Sequence, residues 1–242
     1  NLLYHGCVPL NADGSLKSVR IYGHSYKGKS LYEILESYVR KGFHALDQKE
    51  RERGRDMMWY IWLSEGSPLF GKDKMATFER YFIAEKETHK ETKNPYYSFL
   101  EEEKVVNRIL KEFGLPSKDT HIINGHVPVK SKNGESPVKC GGKVMVIDGG
   151  FSRAYQKETG IAGYTLISNS YGLILVAHEP FESTEAAIER ESDIHSDSVI
   201  VNRVLERKLV GDTDVGRDLR EQIADLEVLL ESYRSGQIAE RV

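Results

Sequence analysis

Ile122-Ile123-Asn124-Gly125-His126-Val127-Pro128-Val129 is the stretch of this chain that decides the fold. A short apolar run followed by Gly-His is typical of a buried strand that delivers a histidine onto a glycine-bearing turn. The first residues have the same form, because Leu2-Leu3-Tyr4 runs into His5-Gly6. A side chain at the end of a buried strand is held rigidly and still faces a cleft, as metal ligation requires. The two segments therefore make His5 and His126 candidate metal ligands, although a hydrogen-bonded structural role stays open for each.

Further short β-branched runs predict more strands on the C-terminal side of this segment. They cover residues 143–147, 164–167 and 173–176, and Gly, Pro and Asn separate them. Asn169-Ser170-Tyr171-Gly172 lies between the last two runs and predicts a hairpin turn. A β-rich core is expected over residues 1–27 and 120–182.

Helical periodicity dominates the remaining segments, so the fold class is α/β. Residues 28–119 are expected to form a helical insertion, in which Leu31, Ile34, Leu35, Tyr38 and Val39 share one face. Ser30, three residues before Glu33, predicts a capping box at the start of this helix. The cluster Met57, Met58, Trp59 and Trp62 is interpreted as core packing. Residues 183–242 are expected to form a helical tail, with an amphipathic helix over residues 219–233.

Composition excludes several classes of protein. The formal net charge is −3 over 242 residues, which gives no reason to expect nucleic acid or an anionic membrane as a partner. No apolar run approaches the ~20 residues that cross a bilayer. Only two cysteines occur, so a reducing cytoplasm is expected. Because the chain starts at Asn1 and enters a strand directly, we interpret it as the C-terminal portion of a longer protein.

A family resemblance extends over essentially the whole chain. The Gly-His segment is followed by Gly134-Glu135-Ser136-Pro137 and then by Val146-Ile147-Asp148-Gly149-Gly150. This order is similar to the closing part of the calcineurin-type metallophosphoesterase pattern, and Tyr4-His5-Gly6 is similar to its earlier His-Gly element. The stretches that resemble class III fructose-1,6-bisphosphatases in particular are residues 58–63, 151–156, 159–166, 169–173 and 212–214.

The resemblance implies half of a two-sheet metallophosphatase sandwich and a two-metal, Mn²⁺-dependent site. The implied reaction removes the 1-phosphate of fructose 1,6-bisphosphate in gluconeogenesis. It makes His5 and His126 metal ligands. The family's other ligands lie in Asp-x-His, Gly-Asp-x-x-Asp and Gly-Asn-His-Glu elements, which this sequence does not contain, and the general acid is the histidine of the last one. No catalytic residue is therefore assigned here, and the chain is expected to be inactive alone.

Several other residues are weaker candidates. Lys130 and Lys132 could meet a sugar phosphate or belong to a solvated loop. Arg153 could hold the second phosphate as a planar fork. Asp148 could orient a ligand histidine or cap a turn. Cys7 is interpreted as a small apolar filler. The remaining histidines interpreted as surface or core residues are His24, His44, His89, His178 and His195.

Two rival functions remain at this point. One is a related metallophosphatase that acts on a phosphoprotein or a dinucleoside polyphosphate. The other is a non-catalytic helical interaction module in which His5 and His126 are structural. A homo-oligomer is compatible with each of these readings.

Overall fold

The computed structural model describes residues 1–148, 152–180, 183–189, 191, 196–204 and 206–239, with Arg153 and Ala154 described by their backbone alone. Two compact units are present. The first comprises Asn1–Thr165 and Ala177–Asp197, and the second comprises Leu166–Val176 and Ser198–Val242. No helix among the described residues is long and apolar enough to cross a bilayer.

The described chain contains both strands and helices. In order they are β1 (Leu2–Tyr4), β2 (Val19–Ile21), β3 (His24–Tyr26), α1 (Gly28–His44), α2 (Gln48–Leu63), α3 (Thr77–Phe82), α4 (Glu103–Glu112), β4 (Ile122–Asn124), β5 (Val138–Lys139), β6 (Val144–Val146), α5 (Arg153–Thr159), β7 (Gly163–Asn169), β8 (Gly172–His178), α6 (Thr184–Glu189), β9 (Ser196–Arg203) and α7 (Asp214–Arg234). The prediction of a mixed α/β protein is confirmed.

The sheet that positions the site has the order β1-β4-β6-β5. β1 pairs with β4 and β4 pairs with β6 in parallel, whereas β5 runs antiparallel to β6. Every residue of β4 and β6 is buried, as expected for strands covered on both faces. This is why β6 is an unbroken apolar run in the sequence and β4 is apolar up to its last residue, Asn124. The strands predicted at residues 2–4 and 122–124 are confirmed, and the predicted run at residues 143–147 contains β6.

A helical layer packs on the β2–β3 hairpin in the first unit. Its buried core comprises Val19, Ile21, Leu31, Leu35 and Met57. The hairpin was not predicted, although apolar Val19 and Ile21 flank exposed Arg20 in the alternation of a half-buried strand. Helices α1 and α4 lie where the apolar periodicity placed them.

One prediction about helix α1 and part of one about helix α2 are wrong. Ser30 is not the N-cap of α1: the helix begins at Gly28, and the Ser30 hydroxyl donates to the backbone carbonyl of Lys27 at 2.8 Å. The interpretation of the α2 cluster as core packing holds only for Met57. Met58, Trp59 and Trp62 are 50%, 68% and 61% exposed, because α2 buries the helix face that carries Gly54 and Met57.

The second unit contains α7 and the greater part of the sheet β7-β8-β9. The predicted hairpin turn is confirmed, since β7 ends at Asn169 and β8 begins at Gly172. The predicted C-terminal helix is confirmed as α7, which Ser235 caps. The segment expected to be a helical tail also holds β9, a strand that the sequence reasoning missed. The division of the chain into a core, an insertion and a tail stays a prediction.

Candidate functional site

Strand register brings three segments of the chain to one edge of the sheet. Tyr4 pairs with Asn124, and Asn124 pairs with Val146. Because the three strands are parallel, the residues that follow them leave the sheet at the same edge. Backbone hydrogen bonds continue past the strands: Gly125 N–H donates to the His5 carbonyl at 2.9 Å, and Ile147 N–H donates to the Asn124 carbonyl at 2.9 Å.

The two histidines predicted as metal ligands meet at this edge. His5 Nε2 lies 3.0 Å from His126 Nδ1. The ring centroids are 5.0 Å apart, with the planes at 67°. His126 has a φ of 69°, which a non-glycine residue adopts at a cost. A strained backbone that aims one imidazole at another is typical of a functional constraint.

Glycine allows the chain to approach closely beside His5. A Cβ on Gly6 would lie 2.3 Å from the Pro68 carbonyl oxygen, so only glycine fits between His5 and the turn at Pro68. The next residue, Cys7, donates its backbone N–H to the same carbonyl at 2.8 Å. The Pro68 turn therefore anchors the backbone that carries His5.

A backbone carbonyl sets the proton on His126. His126 Nε2 lies 2.9 Å from the Phe70 carbonyl oxygen, and a carbonyl can only accept, so the proton is on Nε2. Burial lowers the pKa of His126, the Phe70 contact raises it, and His5 lowers it again. The net shift is downward, so the ring is neutral near pH 7 with its lone pair on Nδ1. That lone pair faces His5. The sequence carries no signal for this role of Phe70, because every residue has a carbonyl.

This geometry fits two ligands of one divalent ion. The 3.0 Å separation is that of an N–H···N hydrogen bond, and metal–nitrogen bonds of about 2.1 Å at a right angle would place the two nitrogens equally far apart. A ligand histidine normally donates its other N–H to a carbonyl or carboxylate, and His126 does so. His5 would need its proton on Nδ1 instead. Asn124 Oδ1, at the end of β4, is buried without a hydrogen-bond partner in the described structure.

The described residues do not form a complete metal site. No group of three or more His, Cys, Asp or Glu side chains among them is arranged to hold an ion. Asp148 is the acidic residue that the sequence singled out as a candidate, and its charge raises the pKa of His126. A Cβ on Gly125 would lie 3.6 Å from Asp148 Cβ. The structure thus brings Asp148 to the histidine pair, and its role in orienting a ligand stays a prediction.

The three candidate phosphate-binding residues lie on the loop after the Gly-His turn and at the start of α5. Lys130 is exposed on the loop after the Gly-His turn, where its backbone N–H donates to Glu135 Oε2 at 3.0 Å. Lys132 is also exposed, with its backbone against Gly160 at the end of α5. Arg153 begins α5, but its side chain lies outside the described residues. None of the three roles is tested by these contacts.

Cys7 is fully buried beside the site. Burial raises the pKa of its thiol to about 12, although a hydrogen bond with Tyr97 acts in the opposite direction. The thiol is therefore protonated at neutral pH and is a poor nucleophile, in agreement with its interpretation as a filler.

Four of the five histidines interpreted as surface or core residues lie among the described residues. His24 and His44 are exposed. His89 contacts the Ile83 carbonyl, and His178 bonds to the Thr165 and Ser196 hydroxyls. His195 lies outside the described residues.

These features define a mixed α/β protein that presents a histidine pair at the carboxyl ends of three parallel strands. The Firmicute fructose-1,6-bisphosphatase family matches residues 1–235, and the chain belongs to that family. The resemblance to class III fructose-1,6-bisphosphatases is thereby confirmed.

Three similar proteins are each named fructose-1,6-bisphosphatase class 3. The protein of Clostridioides difficile is 59% identical over 241 residues, which are 99% of this chain and 36% of that protein. The protein of Clostridium acetobutylicum is 57% identical over 243 residues, covering 100% of this chain and 36% of that protein. The protein of Alkaliphilus metalliredigens is 56% identical over 244 residues, covering 100% and 37%. The chain thus spans little more than a third of these relatives, and no solved structure matches it.

Proposed function

We propose that this chain is part of a fructose-1,6-bisphosphatase and that His5 and His126 contribute ligands to its metal centre. The observation that carries the proposal is the 3.0 Å separation of His5 Nε2 and His126 Nδ1, with the other nitrogen of His126 bound to the Phe70 carbonyl. The names of the relatives supply the substrate, fructose 1,6-bisphosphate.

The architecture of the whole enzyme is part of the same proposal. The sheet β1-β4-β6-β5 would be one half of a calcineurin-like two-sheet sandwich. Because the chain spans 36% of these relatives, the second sheet and the remaining ligands would come from other parts of a protein of their length. We further propose that the enzyme acts in the cytoplasm, in gluconeogenesis, and that the present chain alone does not turn over substrate.

The chain's own residues have defined tasks in this mechanism. A pair of Mn²⁺ ions would lower the pKa of a bound water and stabilise the attacking and leaving oxygens of the phosphate. His126 offers its Nδ1 lone pair because Phe70 retains the proton on Nε2. His5 offers Nε2 from the end of β1, where the Pro68 carbonyl packs closely on Gly6 and accepts from the backbone N–H of Cys7. Asp148 adds negative charge beside His126 and so favours a cation there.

Phosphate release from fructose 1,6-bisphosphate with Mn²⁺ tests this function. It is measured on the present chain and on a protein of the relatives' full length that contains it. We expect release only from the longer protein, and we expect His126→Ala to abolish it. His89→Ala is the matched control, because His89 also binds a backbone carbonyl, that of Ile83, at 2.8 Å.

Other outcomes separate the rival functions. Release from a phosphoprotein or a dinucleoside polyphosphate alone would identify a different metallophosphatase. Full activity of the His126→Ala variant would contradict the assignment of ligands. Failure of the longer protein to bind any divalent ion would favour the interaction module.

A further inference from the structure

Two lysines lie directly opposite each other close to His126. The segment Gly71–Asp73 runs antiparallel to Thr92–Asn94, because Asn94 N–H donates to the Gly71 carbonyl at 2.9 Å and Asp73 N–H donates to the Thr92 carbonyl at 3.0 Å. Lys72 and Lys93 form the bridge pair between the two segments. Opposite residues in such a pair have Cβ atoms about 4.5–5.5 Å apart, and like charges there are destabilising.

The nearby carboxylates neutralise only part of the positive charge around this pair. Glu91 binds Lys72 at 2.9 Å, but its other oxygen accepts from Arg80 at 3.2 Å. Glu135 binds the ammonium of Lys139 at 2.9 Å. Within the part of the chain that the structure describes, neither Lys93 nor Lys130 has an ion-pair partner, so two ammonium groups are left without a direct counter-charge.

The lysines lie within electrostatic range of one another. Burial lowers the pKa of Lys93, and the charges of Lys130 and Lys72 lower it further, while Glu135 acts in the opposite direction. The field of Lys72 reaches the histidine pair as well, because it lowers the pKa of His126. Lys72 is two residues along the chain from Phe70, whose backbone carbonyl accepts the hydrogen bond from His126.

A cleft adjoins the two opposed lysines. It has a volume of about 260 Å³, and both Lys72 and Lys93 line it. A water molecule occupies about 30 Å³ of liquid volume, so a phosphate group has room. Two acidic residues, Asp73 and Glu65, also line the cleft. The carboxylate of Asp73 accepts from the backbone N–H groups of Thr92 and Lys74, and Glu65 is paired with Lys17.

We propose that Lys72 and Lys93 form an anion-binding cluster at this cleft, which holds a phosphate monoester of the substrate. Ammonium groups on directly opposed residues repel each other, and a bound anion relieves that repulsion. Lysine binds phosphate as a compact point charge. The cluster itself is argued from the structure. Its ligand, a sugar phosphate, rests on the proposed function.

Binding of anions to the present chain in EDTA tests the cluster without metal or turnover. Inorganic phosphate and fructose 6-phosphate are titrated and followed by the amide shifts of Lys72 and Lys93. We expect Lys93→Gln to weaken binding by roughly tenfold. Lys93→Arg keeps the charge and should retain binding. Lys49→Gln, an exposed lysine of α2, is the matched control and should have no effect.

The outcomes distinguish this proposal from the proposed function. Equal losses in Lys93→Gln and Lys49→Gln, or no loss in Lys93→Gln, would overturn the cluster even if the longer protein hydrolyses its substrate. Binding of inorganic phosphate but not of the sugar phosphate would overturn the assigned ligand. Lysine-dependent binding of both anions, together with a longer protein that hydrolyses nothing, would support the cluster and reject the proposed function.

Discussion

The parallel strands at the candidate site and helix α7 differ in how well the local sequence predicts burial. β4 has only three residues, all buried, with Ile122 fully inaccessible. α7 has 21 residues and a clear apolar periodicity, yet Leu226 on its apolar face is 63% exposed within the described structure. Periodicity establishes that a helix forms, whereas pairing between distant segments decides what is buried. The candidate site lies at the ends of the paired strands β1, β4 and β6.

Truncation of one apolar side chain in each region gives the largest expected difference. Ile122→Ala leaves a cavity between paired strands and should lower the free energy of unfolding by about 2–5 kcal/mol. Leu226→Ala removes an exposed group and should change it by less than about 0.5 kcal/mol. Urea denaturation followed by circular dichroism measures both. Equal effects would show that the described burial of the two regions is wrong.

The two glycines beside the site histidines provide the next comparison. Gly6→Ala should destabilise the fold by about 1–3 kcal/mol, because its Cβ would lie 2.3 Å from the Pro68 carbonyl oxygen. Gly125→Ala should cost less, since its nearest neighbour would be Asp148 Cβ at 3.6 Å. Thermal unfolding of the two variants decides this, and the reverse order would contradict the turn geometry at Gly6.

Acid should weaken the site region through His126. Burial holds its pKa below the ordinary value, so the unfolded chain takes up a proton at a higher pH than the folded chain. The contribution of the neutral, buried His126 to the free energy of unfolding is fully present above the ordinary histidine pKa of about 6.5. It is lost as the pH falls through that value towards the folded pKa. Urea midpoints in EDTA should therefore fall less steeply between neutral and mildly acidic pH in His126→Gln. Identical slopes would show that His126 does not contribute.

The smallest effect is expected on the surface of α7. Arg217 lies 3.1 Å from Asp214, and both side chains are more than half exposed. Arg217→Ala should change stability by no more than about 0.5 kcal/mol. A larger loss in the urea midpoint would mean that α7 is more tightly packed than the described structure shows.

Elements with a strong local signal were predictable from the sequence. The periodic faces of α1, α4 and α7 and the β-branched runs of β4 and β6 each indicated the right element. The placement of Met58, Trp59 and Trp62 was not predictable, because an apolar side chain does not reveal which face of a helix meets a neighbour. Hairpin β2–β3 was missed although its alternation is visible, since Tyr22-Gly23 is a weaker turn signal than Asn-Gly.

The candidate site was predictable in its residues and not in its geometry. Strand-end patterns and the family resemblance selected His5 and His126, which are 121 residues apart. Their contact depends on the register of β1 against β4, which tertiary pairing alone defines. The Phe70 carbonyl and the opposed lysines Lys72 and Lys93 depend on backbone positions that side-chain patterns do not encode.

Paramagnetic broadening by Mn²⁺ tests the central claim, that His5 and His126 share one divalent ion, most directly. The imidazole resonances of the present chain are assigned with single histidine substitutions and followed while Mn²⁺ is added at substoichiometric concentration. The method detects weak binding, which matters because the described residues form no complete metal site. We expect the signals of His5 and His126 to broaden together, before those of His24 and His89, and His126→Ala to protect His5. Broadening of all four histidines alike, or of neither site histidine, would contradict a metal site at the carboxyl edge of the sheet.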